Sequence, residues 1–194
     1  MKCRCHLLLS SLLVLAAACD KGAHELPAVP GGDAPILQHC ERDFAAHIND
    51  HELPTTGNLE AWGEATEAKE ASLQKVLEHY RNYYGHDAPT EATAKFRTGQ
   101  LYLNLGCELL RFTPTELDEK GTEDYRNHLV ERAGRAFESS IPHFEEAAAA
   151  GHEPFSADGK ALAEQFSSPG DRAALESRCA AAAEHWDHPR QAGL

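Results

Sequence analysis

The stretch from Ala94 to Leu110 constrains the fold of this chain more than any other. Its apolar residues would point to nearly every side of a helix, and a helix of that kind is buried on all sides. These residues are Ala94, Phe96, Leu101, Tyr102, Leu103, Leu105, Leu109 and Leu110. Gly99 and Gly106 lie among them, although each glycine costs a helix about 1 kcal/mol relative to alanine. We therefore expect a neighbouring helix to approach closely at both glycines.

The composition is that of one globular domain with a strong acidic excess. Of the 194 residues, 42% are hydrophobic and 25% charged, and the formal net charge is −13. This length is sufficient to bury a sizeable core. Because so acidic a surface repels nucleic-acid phosphates and anionic lipid headgroups, we do not expect nucleic-acid binding. A basic or amphipathic partner would suit this charge.

Residues 1–18 have the pattern of a secretory signal. Lys2 and Arg4 precede an apolar run from Leu7 to Leu15, and three alanines follow it. The run is too short to span a bilayer comfortably, and small residues at its end indicate cleavage. We therefore predict export from the cytoplasm.

The small residues followed by Cys19 resemble the lipobox of bacterial lipoproteins, although Leu15 stands four residues before Cys19 and not the usual three. The resemblance implies that Cys19 carries a lipid. The domain would then be anchored to the inner or outer membrane of a bacterial envelope and would face the periplasm or the exterior. The alternative is ordinary signal cleavage, with Cys19 left as a structural thiol.

Residues 19–35 are rich in proline and glycine and have no apolar period, which is typical of a flexible tether. A coil of this length would hold the domain about 20 Å from its anchor. The alternative is a segment that docks onto the domain. The remaining residues, 36–194, would form one helical domain.

Apolar residues in this domain recur at three- and four-residue spacing, and no segment has the alternation of a strand. The pattern predicts an all-α protein of about six helices. Their expected positions are about 36–50, 59–84, 90–112, 124–150, 157–166 and 171–186. Asn58 is a suitable N-cap for the second helix. Pro142 predicts a kink, or a fresh helix start capped by Ser139 or Ser140.

Two parts of the chain resemble the two helices of a tetratricopeptide repeat. The matching small, aromatic and aliphatic positions are Gly99, Tyr102, Leu105 and Gly106 in the first helix, and Ser140, Phe144 and Ala147 in the second. However, Gly99 and Ala147 lie 48 residues apart, more than a whole repeat of about 34 residues. Two architectures stay open: a tetratricopeptide-like stack of antiparallel hairpins, or a plain helical bundle.

The resemblance implies a scaffold that presents a groove to a peptide or helix of another protein. The sequence has no nucleophile elbow, phosphate-binding loop or dinucleotide fingerprint, and we expect neither enzymatic activity nor a cofactor. The leading hypothesis is therefore a protein–protein interaction adaptor, or an assembly factor of an envelope machine.

Three cysteines remain beyond Cys19, and each lies on an apolar helix face: Cys40, Cys107 and Cys179. An exported protein meets an oxidising compartment, so one disulfide and one free thiol are expected, with the pairing open. Three buried thiols are the alternative.

Four possible metal ligands recur at four-residue spacing along the first helix: His39, Asp43, His47 and His51. Imidazole and carboxylate groups bind transition metals. Because such a row drifts about 40° around a helix at each step, only neighbouring pairs are expected to converge. The row supports an alternative function, a metal- or ligand-binding periplasmic lipoprotein; the other interpretation of the row is a solvated helix face.

Overall fold

The computed structural model describes residues 34–186, which form an all-α bundle of six helices with one short strand pair. The helices are α1 (Ala34–Asp50), α2 (Leu59–Arg81), α3 (Ala88–Arg111), α4 (Glu119–Ala149), α5 (Phe155–Phe166) and α6 (Arg172–Trp186). The predicted signal peptide, Cys19 and residues 20–33 of the predicted tether lie outside the described residues. The all-α prediction is confirmed.

α3 lies at the centre of the described bundle and contacts each of the other five helices. Most of its residues are buried, as the apolar stretch within it predicts. Asp87 caps its N-terminus by accepting a hydrogen bond from the Thr90 amide at 3.1 Å. α3 therefore supplies the surface on which the other helices are arranged.

α3 and α4 form an antiparallel hairpin whose closest contacts are at two glycines. A Cβ atom on Gly99 would lie 2.7 Å from the Phe144 ring, and one on Gly106 would lie 2.4 Å from the Phe137 ring. The rings therefore occupy the space that side chains at these two positions would take. The close approach expected from the sequence is present at both glycines.

α4 is one continuous helix from Glu119 to Ala149, through Pro142. The predicted alternative of a fresh helix start is wrong. The hydroxyls of Ser139 and Ser140 donate backwards to carbonyls of α4 itself instead of capping a new helix. Phe137 and Phe144 pack on α3 on either side of the proline, and this packing keeps the helix intact where one backbone hydrogen bond is lost.

α4 also begins earlier than the sequence indicates, because Asp118 accepts a hydrogen bond from the Gly121 amide at 2.8 Å and caps the helix there. The Asn58 cap of α2 is confirmed by a similar bond from the Ala61 amide at 2.8 Å. Just before α2, Thr56–Gly57 pairs in parallel with Thr113–Pro114, which follows α3. This two-residue bridge joins the ends of two helices and was not predicted.

A disulfide joins Cys107 in α3 to Cys179 in α6, and Cys40 in α1 is a buried free thiol. Because α6 is the last described helix, this bond attaches the C-terminal end of the described bundle to its centre. The pairing left open by the sequence is thus assigned.

Candidate functional site

The four predicted metal ligands of α1 do not form one group. α1 and α2 run antiparallel, so successive residues of α1 meet earlier and earlier residues of α2. His39 and Asp43 lie next to His79 of α2. His47, one turn after Asp43 in α1, lies next to Ser72, which is about two turns before His79 in α2. The row separates because its side chains rotate around α1 by about 40° at each step.

His39, Asp43 and His79 form what we call the histidine–aspartate cluster. The Asp43 Oδ2 atom lies 3.4 Å from His39 Nε2 and 2.6 Å from His79 Nδ1. The centroids of the two imidazole rings are 5.2 Å apart. The side chain of His39 is 62% exposed, and those of Asp43 and His79 are 21% and 28% exposed. The cluster is thus reachable from solvent.

His47 and His51 lie outside this cluster, so of the four-residue row only the neighbouring pair His39 and Asp43 belongs to it. His47 is fully buried, its Nδ1 atom lies 3.1 Å from the Ser72 hydroxyl, and its ring centroid is 6.3 Å from that of His51. Burial, with the positive charges of Lys69 and His51, lowers the pKa of His47 to about 3. His47 is consequently a neutral core residue at physiological pH.

Next to the cluster, a buried ion pair connects α1 to α3. The Arg97 guanidinium contacts both carboxylate oxygens of Glu41, at 2.8 and 3.0 Å. The Tyr80 hydroxyl of α2 donates to the same carboxylate at 2.8 Å. Burial, and the negative charge of Glu41, raise the pKa of Tyr80. Three helices are therefore held in register by one carboxylate.

A second buried pair, Lys69 of α2 with Glu108 of α3, lies further along the same interface, at 3.0 Å. Glu108 also accepts from the Leu53 amide at 2.8 Å, and Lys69 donates to the His51 carbonyl at 3.1 Å. Burial lowers the pKa of Lys69, and the neighbouring Glu108 carboxylate opposes this shift. The connection between α1 and α2 is thereby fixed to α3.

These two pairs were not predicted, although the sequence contains a signal for them. Within the apolar stretch and its flank, Arg97, Gln100, Asn104 and Glu108 follow one another at spacings of three and four residues. Such spacing defines one face of a helix, and it lies opposite the face that carries Gly99 and Gly106. A polar row inside an otherwise apolar helix predicts partners on its neighbours.

The residues that resemble a tetratricopeptide repeat lie along the α3–α4 contact. Leu105, Ser140, Phe144 and Ala147 are buried there. Tyr102 is only partly buried, and its ring stacks on that of His143 at 5.9 Å. A Cβ atom on Gly159 of α5 would lie 2.7 Å from the Phe144 carbonyl oxygen, so α5 also packs closely on α4. The residues that resemble the repeat therefore serve to pack α3 against α4.

The exposed side of α2 carries a line of glutamates that we call the acidic α2 face: Glu60, Glu64, Glu67 and Glu78. Their spacing places them on one side of the helix, over a length of about 27 Å. Elsewhere, a cavity of about 280 Å³ between α4 and α5 has a mixed-charge lining that includes Lys160 and Glu164. The acidic α2 face has the greater excess of negative charge, with the exposed Lys75 between Glu67 and Glu78 on the same side.

Comparisons with family models, with curated proteins and with solved structures gave no significant match for this chain. None of the helices between residues 34 and 186 combines the length and the hydrophobicity needed to cross a bilayer.

Proposed function

We propose that this protein is a lipid-anchored adaptor or assembly factor of a bacterial envelope. Its helical bundle binds another envelope protein and has no enzymatic activity of its own. The observation that carries the proposal is the acidic α2 face, a set of exposed carboxylates on a helix held in place by the buried Lys69–Glu108 ion pair and the Tyr80–Glu41 hydrogen bond. The partner is a basic or amphipathic segment.

Rigidity of α2 supports this role. Lys69 is fully buried and paired with Glu108, and Tyr80 is fully buried and bonded to Glu41. These contacts anchor the inner side of α2 from Lys69 to Tyr80. A helix fixed in this way loses little conformational freedom on binding, which favours affinity.

The anchor rests on the lipobox-like sequence that ends at Cys19. A lipid on Cys19 would hold the acidic domain near a membrane whose headgroups repel it, and a flexible tether between Cys19 and α1 would give it freedom to reach a partner. We expect wild-type protein in the membrane fraction and the Cys19→Ala variant in the soluble fraction. A Cys19→Ala variant that still fractionates with membranes contradicts the anchor.

The adaptor role is tested by crosslinking and pull-down from native envelopes with two matched variants. In one, Glu60, Glu64 and Glu67 of the acidic α2 face are changed to glutamine. In the other, three exposed glutamates of α4 are changed to glutamine: Glu131, Glu138 and Glu145.

Both variants lose three negative charges, so a nonspecific charge effect weakens capture equally. We expect a basic envelope protein to be captured by the wild type and by the α4 variant, and capture by the α2 variant to fall several-fold. Equal capture by all three proteins, or an equal loss in both variants, contradicts a specific role for the acidic α2 face.

A further inference from the structure

We propose that the histidine–aspartate cluster binds one divalent transition-metal ion of the Zn²⁺ class, with His39 and Asp43 of α1 and His79 of α2 as ligands. The ion would bridge two helices that run antiparallel at this point. This function goes beyond the proposed adaptor role and does not depend on it.

The geometry of the three groups is close to that of a tetrahedral site. All three donor atoms lie within 4.8 Å of one another. At zinc–nitrogen and zinc–oxygen distances near 2 Å, two ligand atoms of a tetrahedral ion are about 3.3 Å apart. His39 Nε2 and Asp43 Oδ2 already have this separation, at 3.4 Å. His79 Nδ1, now 2.6 Å from the carboxylate, needs to move back by less than an ångström.

The ligand types favour a particular class of ion. Two imidazole nitrogens with one carboxylate oxygen suit zinc and its neighbours, whereas calcium and magnesium prefer oxygen ligands alone. Three protein ligands leave one tetrahedral position free. Because His39 is 62% exposed, a water molecule or a group from a partner can reach that position.

The neighbouring buried contacts hold the ligands in place. Asp43 lies two residues after Glu41 in α1, and His79 immediately precedes Tyr80 in α2. The bond of 2.8 Å from the Tyr80 hydroxyl to Glu41 therefore fixes the two helices beside the cluster. Ligands on helices that a supporting shell holds in place keep a binding geometry more precisely than ligands on loops.

The experiment is a titration of the full chain, produced without a histidine tag and treated with a chelator, with zinc chloride in a calorimeter. We expect one Zn²⁺ per chain. The variants H39Q, D43N and H79Q should each weaken binding at least tenfold. The His51→Gln variant is the matched control, because it removes the histidine that follows α1 directly and lies outside the cluster, and it should bind as the wild type does.

His39 is largely exposed, so H39Q tests the ligand with little risk to the fold, and circular dichroism verifies each variant. A cobalt-loaded wild type should show the visible absorption of a tetrahedral nitrogen–oxygen site, and H79Q should lose it. Binding that H51Q weakens as much as H79Q, or a titration without a stoichiometric site, overturns the proposal. The triple glutamine variant of the acidic α2 face should bind zinc normally, which separates this site from the adaptor role.

Discussion

On one side of α3, two glycines let aromatic rings of α4 reach the helix backbone, whereas on the opposite side charged residues pair with α1 and α2. Gly99 and Gly106 belong to the first side, and Arg97 and Glu108 to the second. Apolar packing tolerates small adjustments of its side chains, but a buried ion pair requires both partners. The difference indicates that apolar packing stabilises the contact with α4, whereas the buried ion pairs fix the register of α1 and α2 on α3.

The largest effect is expected at the polar side, from Glu108→Ala. This change leaves the buried Lys69 without its counter-charge and the Leu53 amide without its acceptor. Breaking one partner of a buried pair costs about 4 kcal/mol. Chemical denaturation should show this loss, and the double variant Lys69→Met/Glu108→Leu should recover much of it. If the double variant is no more stable than Glu108→Ala, the unpaired charge of Lys69 is not the cause of the lost stability.

Removing the disulfide should have the next largest effect. Cys107 and Cys179 are separated by 72 residues, and a crosslink across a loop of that size reduces the entropy of the unfolded chain. Disulfides usually contribute about 2–4 kcal/mol, less than the loop entropy alone predicts for long loops, so the variant Cys107→Ala/Cys179→Ala should lose about 3 kcal/mol of unfolding free energy. Adding a reductant to the wild type should produce a comparable loss, whereas it should leave the double variant unchanged. An equal response of both proteins would contradict this assignment.

A smaller effect is expected from His47, which makes the free energy of unfolding depend on pH. His47 has a pKa near 3 in the folded protein against a usual value of 6.5, so the unfolded chain binds the extra proton between these values. The contribution of His47 to the free energy of unfolding should therefore be fully present above about pH 6.5. It should decrease as the pH falls toward 3, and the loss at pH 5 should be about 2 kcal/mol.

The His47→Gln variant should lack that part of the pH dependence in denaturation curves measured from pH 7 to 5. The control is His128→Gln, which changes an exposed histidine of α4 and should keep the wild-type slope. A wild-type slope in His47→Gln would show that other groups are responsible.

The smallest effect is expected at the apolar side, from Gly106→Ala. The new Cβ would lie 2.4 Å from the Phe137 ring, and the strain of overpacking exceeds the gain in helix propensity by about 1 kcal/mol. Gly134→Ala in α4 is the matched control, because its Cβ would meet nothing within 4 Å. It should raise the melting temperature slightly. A rise for both variants would show that the ring adjusts freely.

The apolar side could be predicted from sequence more fully than the polar side. The apolar period along the chain gives the helices, and glycines in a buried helix indicate close contacts, because both depend on local spacing. His79 could not be assigned to the cluster in this way, since it joins Asp43 across 36 residues and only the relative placement of α1 and α2 brings them together. The fresh helix start that the sequence allowed at Pro142 is absent, because packing against α3 outweighed a local preference.

The position of the Cys40 thiol affects whether the Cys107–Cys179 disulfide can rearrange. A disulfide rearranges when a third thiol attacks one of its sulfurs. Cys40 is 1% exposed on α1, while the bond connects α3 and α6. Because the Cys40 thiol is buried, it does not attack the disulfide of its own folded chain or that of a neighbouring chain in an oxidising compartment.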